Sequence, residues 1–420
     1  MAPLHVHPDN PRYFRNHRGG RGETVYLTGS HHWDVLLDNS ERPGSFDFES
    51  YLDRLSAWGH NFFRLWTHEA WTHEVQPTVY LKTDNHFDLS RFNPRYFDRL
   101  RARVVRAGER GFYVAVMFFN GWSIHDNGEG NPWFRHPFNR SNNVNGIDGD
   151  PDGRGDGLDI HTLRLPAITR LQEAYVQKVI ETVGDLDHVL WEISNESPGE
   201  SRDWQYHLVR HVKSLSPLPV GMTSCFPRGR NEDLFQSPAD WISPNYRGGY
   251  KRSPPPADGS KVILLDTDHL WGIGGNRSWV WKSFLAGHQP IYMDPLDDHP
   301  EREAARCAMG ETLRLAKRID LARMVPSPRL TSSGHCLAGK EEFVAYFPRG
   351  RGKIDLSAMD GELALAWLDL DQGRWFEAGW IAGGGKRKVR APFRGEAVLA
   401  LTPRPPLPLP QTHPPRERGD

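Results

Sequence analysis

Apolar positions along this chain follow two rhythms in alternation. Short β-type runs stand at 25–29, 62–66, 112–119, 189–193, 219–223, 241–243, 262–265 and 290–293. Stretches with helical periodicity lie between several of them, at 48–58, 96–110, 165–183 and 201–214. In the last of these, Trp204, Leu208 and Val212 recur at helical spacing. Strand and helix patterns in alternation predict a parallel sheet wrapped by helices. Eight such units over about 300 residues match an α/β fold of the (β/α)8, or TIM-barrel, type. A doubly wound open sheet is the runner-up. It usually carries a Gly-rich phosphate loop after its first strand, where this chain reads TGSHHWD.

After about Met324 the rhythm changes to short alternating runs at 343–347, 353–356, 363–368, 375–380 and 396–401, separated by Gly, Asp and Pro. This predicts a small C-terminal all-β domain, a sandwich. The expected organisation is a barrel over 1–324 that begins with a β-hairpin, a β-sandwich over 325–403, and a Pro-rich disordered tail over 404–420. Two insertions follow strands, at 123–162 and 226–239. Loops of the first length without obvious secondary structure are usually functional lids or disordered.

Composition narrows the partners. The net charge of -1 on 420 residues offers no global field for nucleic acid or anionic lipid. No run of about 18 apolar residues is present to cross a membrane. The N-terminus lacks the apolar segment of a secretory leader, so the expected location is the cytoplasm, or outside the cell if translation begins further upstream. Cys225, Cys307 and Cys336 are odd in number and widely spaced, against a disulfide framework or structural zinc. The 15 Trp, 20 Phe and 12 Tyr mostly fill cores, yet the load also suits a site that stacks on sugar rings.

In a barrel of this kind the active site lies where the strands end. The predicted ends carry His31, His32 and Trp33; Arg64, Trp66, His68 and Glu69; Asn120 and Trp122; Asn195 and Glu196; Asn245 and Tyr246; Asp266, Asp268 and His269, with Trp271 just beyond; and Tyr292 and Asp294. Polar and aromatic residues at seven of eight predicted ends imply one shared site. The sharpest element is Asn195-Glu196 after an apolar strand. Glycoside cleavage needs one carboxylic acid to protonate the leaving oxygen and a second carboxylate across the anomeric carbon. An adjacent Asn can hydrogen-bond a sugar hydroxyl as the transition state forms.

The segments NPRYF, VYLTGSHHW, GHNFFRLWTHE, NNVNGIDGD, WEISNES and DTDHLWGIGG resemble those of clan A (β/α)8-barrel glycoside hydrolases. Within that clan they are similar to a bacterial cellulase-like or apiosidase-like group with a C-terminal β-domain of the collagen-binding type. The likeness covers about residues 8–403. It implies that Glu196 is the acid/base, that Arg64 supports the nucleophile, that Asn195 touches the sugar and that Tyr246 orients the nucleophile. The chain departs at the seventh strand, where many clan members carry Glu and this one offers Asp266 or Asp268. Alternation along a strand puts both aspartates on one side. Asp268, nearer the mouth, is the favoured nucleophile, with retention of configuration the expected outcome.

Other candidates carry a plainer reading beside the functional one. Glu192 shares the parity of Glu196, and a buried pair with Arg64 is favoured over direct catalysis. His31, His32 and His269 read as sugar-hydroxyl partners or core groups rather than metal ligands, since no HExxH-type spacing occurs. Trp33, Trp66, Trp122 and Trp271 suit either stacking on sugars or packing, and Asn120 suits a sugar contact. Asp148, Asp150 and Asp152 fit the first positions of an EF-hand-like calcium loop without its leading helix, a minor reading. Asn142, Asn143 and Asn145 could instead wall the substrate. No cofactor is expected, and the expected partner is a carbohydrate. The leading function is hydrolysis of O-glycosidic bonds; the alternatives are a non-catalytic carbohydrate-binding barrel and a metal-dependent hydrolase.

Overall fold

The structure is a computed structural model that describes residues 1–16, 22–40 and 44–403. The Pro-rich stretch expected to be disordered, 404–420, lies outside the described residues. Eight parallel strands form one sheet: β1 (Gly29–His31), β2 (Phe62–Leu65), β3 (Tyr113–Asn120), β4 (Val189–Asn195), β5 (Val220–Thr223), β6 (Trp241–Ser243), β7 (Val262–Asp266) and β8 (Gln289–Met293). Successive strands from β2 to β8 pair side by side, and β8 pairs with β1. Between β1 and β2 the contact is made by Asn61. Its backbone N donates to Thr28 O at 3.1 Å, its Oδ1 accepts from Thr28 N at 2.9 Å, and its Nδ2 donates to Tyr26 O at 2.8 Å. The sheet thereby curls into the (β/α)8 barrel that the alternation predicts.

Among the described residues seven α-helices wrap it: α1 (Phe48–Trp58), α2 (Pro94–Glu109), α3 (Pro166–Val183), α4 (Arg202–Leu215), α5 (Asn231–Gln236), α6 (Arg277–Leu285) and α7 (Pro300–Ala316). The first shows why the sequence folds this way. Asp47 caps its N-terminus by accepting from Ser50 N, and Phe48, Tyr51, Leu52, Leu55 and Trp58 form one buried stripe at 3–4-residue spacing. After β6 the expected α-helix is replaced, among the described residues, by an irregular segment with a single 3-10 turn, Arg247–Gly249. No helix among the described residues is long and apolar enough to cross a membrane.

Alternation sorts side chains between the barrel's inside and outside. Phe62, Tyr113, Ala115, Leu190, Trp241, Val262, Leu264 and Ile291 cluster inside, joined by Leu4, Phe14, Val25 and Leu27. The last four belong to the N-terminal segment, in which Leu4–Val6, Phe14–Asn16 and Thr24–Val25 make a three-stranded antiparallel sheet. The apolar run at 25–29 therefore divides: its start joins this sheet and the barrel strand begins only at Gly29. Inside the barrel, Trp241 lies against the backbone of Gly221, where any Cβ would meet the indole at 1.9 Å. Two residues along the same strands from Phe62, Leu190 and Leu264 come Arg64, Glu192 and Asp266. A charged layer thus stands on an apolar one.

From Val325 the chain is all-β. Six antiparallel strands (Val325–Pro326, Cys336–Ala338, Phe343–Phe347, Ala397–Thr402, Glu362–Asp369 and Arg374–Ala382, in spatial order) face a two-stranded ribbon, Arg351–Asp355 with Lys386–Arg390. Phe343, Phe347, Ile354, Trp367 and Val389 share a core between the two layers. The opposite face of the larger sheet, with Leu337, Val344, Leu368 and Val398, packs into the barrel's helical shell. Glu396 ties the two units together by accepting from Arg277 Nε at 2.8 Å and from Ser278 Oγ and Tyr346 OH at 2.6 Å.

Candidate active site

Arg64, fully buried at the end of β2, organises the charged layer. Its Nε and Nη2 donate to the two oxygens of Glu192 at 2.9 and 2.5 Å, a bidentate pair. Nη1 donates to Asp266 Oδ2 at 2.8 Å and to Asp268 Oδ2 at 3.2 Å, and Nη2 also reaches Asn195 Oδ1 at 2.7 Å. One guanidinium therefore serves three carboxylates. The reading of Glu192 as a buried partner of Arg64 matches this placement.

The two aspartates of the β7 end stand differently. Asp266 has no exposed surface. Burial alone would raise its pKa, but His31 and Arg64 overcome this and hold the carboxyl far below the usual range. Trp66 Nε1 donates to His31 Nδ1 at 2.8 Å, and an indole can only donate. His31 must then carry its proton on Nε2, which points at Asp266 at 2.9–3.0 Å. Asp268 lines the open cleft beside Glu196. Burial, Glu196 and Asp266 all push its pKa up, against Arg64.

Glu196 follows β4 with a left-handed backbone, φ 44°, a conformation that non-glycine residues seldom adopt. The β3 loop closes over it at Gly121, where a Cβ would meet Glu196 O at 2.2 Å. Trp122 Nε1 donates to Glu196 Oε2 at 2.5 Å. Burial raises the Glu196 pKa to about 7; Trp122 and Arg64 oppose the rise and Asp266 adds to it. Glu196 and Asp268 line one cleft and interact electrostatically, and carboxyls coupled in this way titrate as a pair. Of the two, only Asp268 accepts a hydrogen bond from Arg64, which opposes the rise that burial and its neighbours impose on it. His269 is pushed down to about 3 by burial and by Arg64, so it is neutral. Its Nε2 donates to Asn195 Oδ1 at 3.2 Å and its Nδ1 accepts from Ser243 Oγ at 2.8 Å. With Asn195 Oδ1 used twice, its buried Nδ2 has no protein partner.

The cleft above this layer measures about 810 Å³, within the usual range for small-molecule sites. Trp33, Trp66, Trp122, Trp271, His269 and Tyr246 line it together with Glu196 and Asp268. Tyr246 stands at the rim, 55% exposed, and makes no hydrogen bond to either aspartate. Six sequence candidates lie outside the cleft wall: His31, His32, Arg64, Asn120, Asn195 and Asp266. His32 stacks between Trp33 and Phe46 at 4.2 and 5.2 Å and accepts from Asp34 N. Asn120 is buried, donating to His68 Nδ1 and capping Trp122 N. Arg64 itself lies beneath the floor.

The calcium reading of Asp148, Asp150 and Asp152 does not hold geometrically. Asp150 accepts from Arg154 N and Gly155 N, Asp148 accepts from Asp150 N, and the Arg154 guanidinium faces Asp152, Asp156 and Asp159. No group of three or more potential ligands is arranged for a metal among the described residues. Asn142, Asn143 and Asn145 bond to backbone groups, pinning the insertion rather than walling the cleft. Sequence reasoning missed Trp71, Phe226, Lys251 and Ile273, which also line the cleft. Their one signal is large or apolar side chains within otherwise polar loops, with Phe226 and Ile273 52% and 43% exposed.

No protein-family model matches the sequence, and no curated protein matches it either. Solved structures do share the fold. One described as a glycoside hydrolase is 14% identical, covers 96% of this chain and 97% of its own, and has a TM-score of 0.63. A family 5 glycoside hydrolase from Bacteroides vulgatus is also 14% identical, covering 95% and 93%, with a TM-score of 0.60. The endo-1,4-beta-mannanase of Rhizomucor miehei is 11% identical and covers 76% of this chain and 100% of its own, with a TM-score of 0.51. At such identities the likeness defines the fold. The first two comparisons span nearly the whole chain, the β-domain included.

Proposed function

We propose that this chain is a retaining O-glycoside hydrolase of oligo- or polysaccharides, with Glu196 as acid/base and Asp268 as nucleophile. The observation that carries the reading is a buried Glu196 raised to about 7, beside Asp268 on a cationic Arg64, in one aromatic cleft. In the first step Glu196 gives its proton to the glycosidic oxygen while Asp268 attacks the anomeric carbon. The C–O bond to the leaving group breaks, and a glycosyl ester on Asp268 forms. In the second, Glu196 takes a proton from water, the water oxygen bonds to the anomeric carbon, and Asp268 leaves as carboxylate.

Each surrounding group has a part in this sequence. Arg64 stabilises Asp268 as an anion before attack and after release. Asp266, ionised against Arg64 and His31, makes further negative charge costly and so favours one proton being kept between Glu196 and Asp268. The free amide of Asn195 can meet a sugar hydroxyl. The fold of solved glycoside hydrolases, family 5 included, supports the same reading.

The test is a panel of aryl glycosides and glycans with the wild type and Glu196→Gln. The variant should fold normally and lose about 10²–10⁴-fold in turnover on poor leaving groups. Azide should partly restore it on an activated aryl glycoside. Binding without cleavage by the wild type would instead mark a sugar-binding barrel, and full activity of the variant would refute the assignment.

A further inference from the structure

The ribbon of the C-terminal domain carries its charge in an unusual way. Its register pairs Arg351 with Arg390, Lys353 with Lys388 and Asp355 with Lys386. These six share the outer face, because Ile354 and Val389, of opposite parity, are buried in the sandwich core. Five cations and one carboxylate thus occupy one side of two five-residue strands, in a chain whose net charge is -1. The single counter-charge, Asp355, is 3.9 Å from a Lys386 side chain that is itself 82% exposed. Like charges directly opposite one another destabilise a strand pair, and two of the three outward pairs are of this kind. Folding gains nothing from such a face, but a polyanion laid across it would.

We propose that this face binds an acidic polysaccharide, one bearing carboxylate or sulfate groups on successive sugars, and holds it for the barrel; the inference rests on the glycosidase reading for the choice of a glycan. Cations two residues apart along one strand are about 6.6 Å apart and those across the pair about 5 Å apart. That grid suits a flexible chain of regularly spaced anions. The cleft adds an independent cation: Lys251 lies 5.3 Å from the Trp271 ring and is the one lysine or arginine lining it among the described residues. A ribbon reading DNA phosphates would have no use for a sugar-stacking cleft on the same chain. An acidic glycan uses both.

The experiment is affinity electrophoresis of the full chain through gels containing polygalacturonate, dextran sulfate, neutral dextran or duplex DNA, with wild type and the double variant Lys353→Ser/Lys388→Ser. Wild type should be retarded by one or both acidic glycans, less so as salt rises, and not by dextran. The double variant should bind about tenfold more weakly or worse, with a melting temperature no lower than that of wild type and unchanged turnover of small glycosides. No retardation by either acidic glycan overturns the proposal, as does equal retardation of the double variant. Stronger retardation by DNA than by the glycans overturns it in favour of a nucleic-acid surface. Retardation is read without any cleavage, so a failed glycosidase assay and a failed binding face are seen separately.

Discussion

The indole Nε1 of Trp122 donates to Glu196 Oε2 at 2.5 Å, the one hydrogen bond to that buried carboxyl among the described residues. A donor of this kind stabilises the ionised form, so it restrains the rise that burial imposes on Glu196. Trp122 also lines the cleft, so the same ring meets both the catalytic acid and whatever is bound.

Removing that donor should move the pH profile in a set direction. In Trp122→Phe, Glu196 loses a group that favours its anion, and its pKa climbs above about 7. Because the first step needs protonated Glu196, the alkaline limb of kcat/KM should shift to higher pH. The check is a pH–rate profile on an activated aryl glycoside; a limb that stays put or moves to lower pH contradicts the role.

The aspartates at 266 and 268 should part company in stability as well as in activity. Asp266 has a folded pKa below its unfolded one, so its contribution is fully present above about pH 4 and is lost as pH falls through the folded value. Asp266→Asn should therefore lower the melting temperature near neutrality, with the gap from wild type closing in acid. Asp268 has the opposite shift, so its ionisation opposes folding. Asp268→Asn should keep or raise the melting temperature while abolishing turnover. Thermal melts across pH, run beside a glycosidase assay, read both effects.

Arg64→Met should be among the most damaging single changes in the protein. It strands Glu192, Asp266 and Asp268 in the barrel without their shared cation. The expected loss is about 3–5 kcal/mol or more, measurable by denaturant unfolding. An unaltered midpoint would mean that the charged layer is not held as described.

Glu69 offers a pH test away from the catalytic pair. Burial lifts its pKa to about 8, against hydrogen bonds from backbone groups of its own and of Asn120. A carboxyl raised on folding costs stability as pH climbs from its unfolded value to the folded one. Wild type should lose melting temperature between about pH 5 and 8, and Glu69→Gln should lose less.

Much of the architecture is legible in the residues because periodicity reports burial directly. The helix at 48–58 emerges with those bounds, and the parity of 266 and 268 does bring both carboxyls to Arg64. The exceptions have physical causes. The run at 25–29 is apolar for two different partners, the N-terminal sheet and the barrel, while β1 itself reads Gly-Ser-His and has no β signature. Asn120 and His32 stand at predicted strand ends but satisfy neighbouring backbone and ring groups instead. No periodicity reports where the Phe226 and Ile273 loops fold back, so their place in the cleft is visible only in three dimensions. The Asp-rich insertion resembles a cation loop in spacing, but Arg154 supplies the positive charge.

The central claim is that Asp268 forms the bond to sugar. Incubating the protein with 2-deoxy-2-fluoro glycosides bearing a good leaving group should trap the glycosyl ester, and peptide mass mapping should place the added mass on Asp268. Label on Asp266 or Glu196, or rapid turnover to a product of inverted anomeric configuration with no trapped ester, would contradict it.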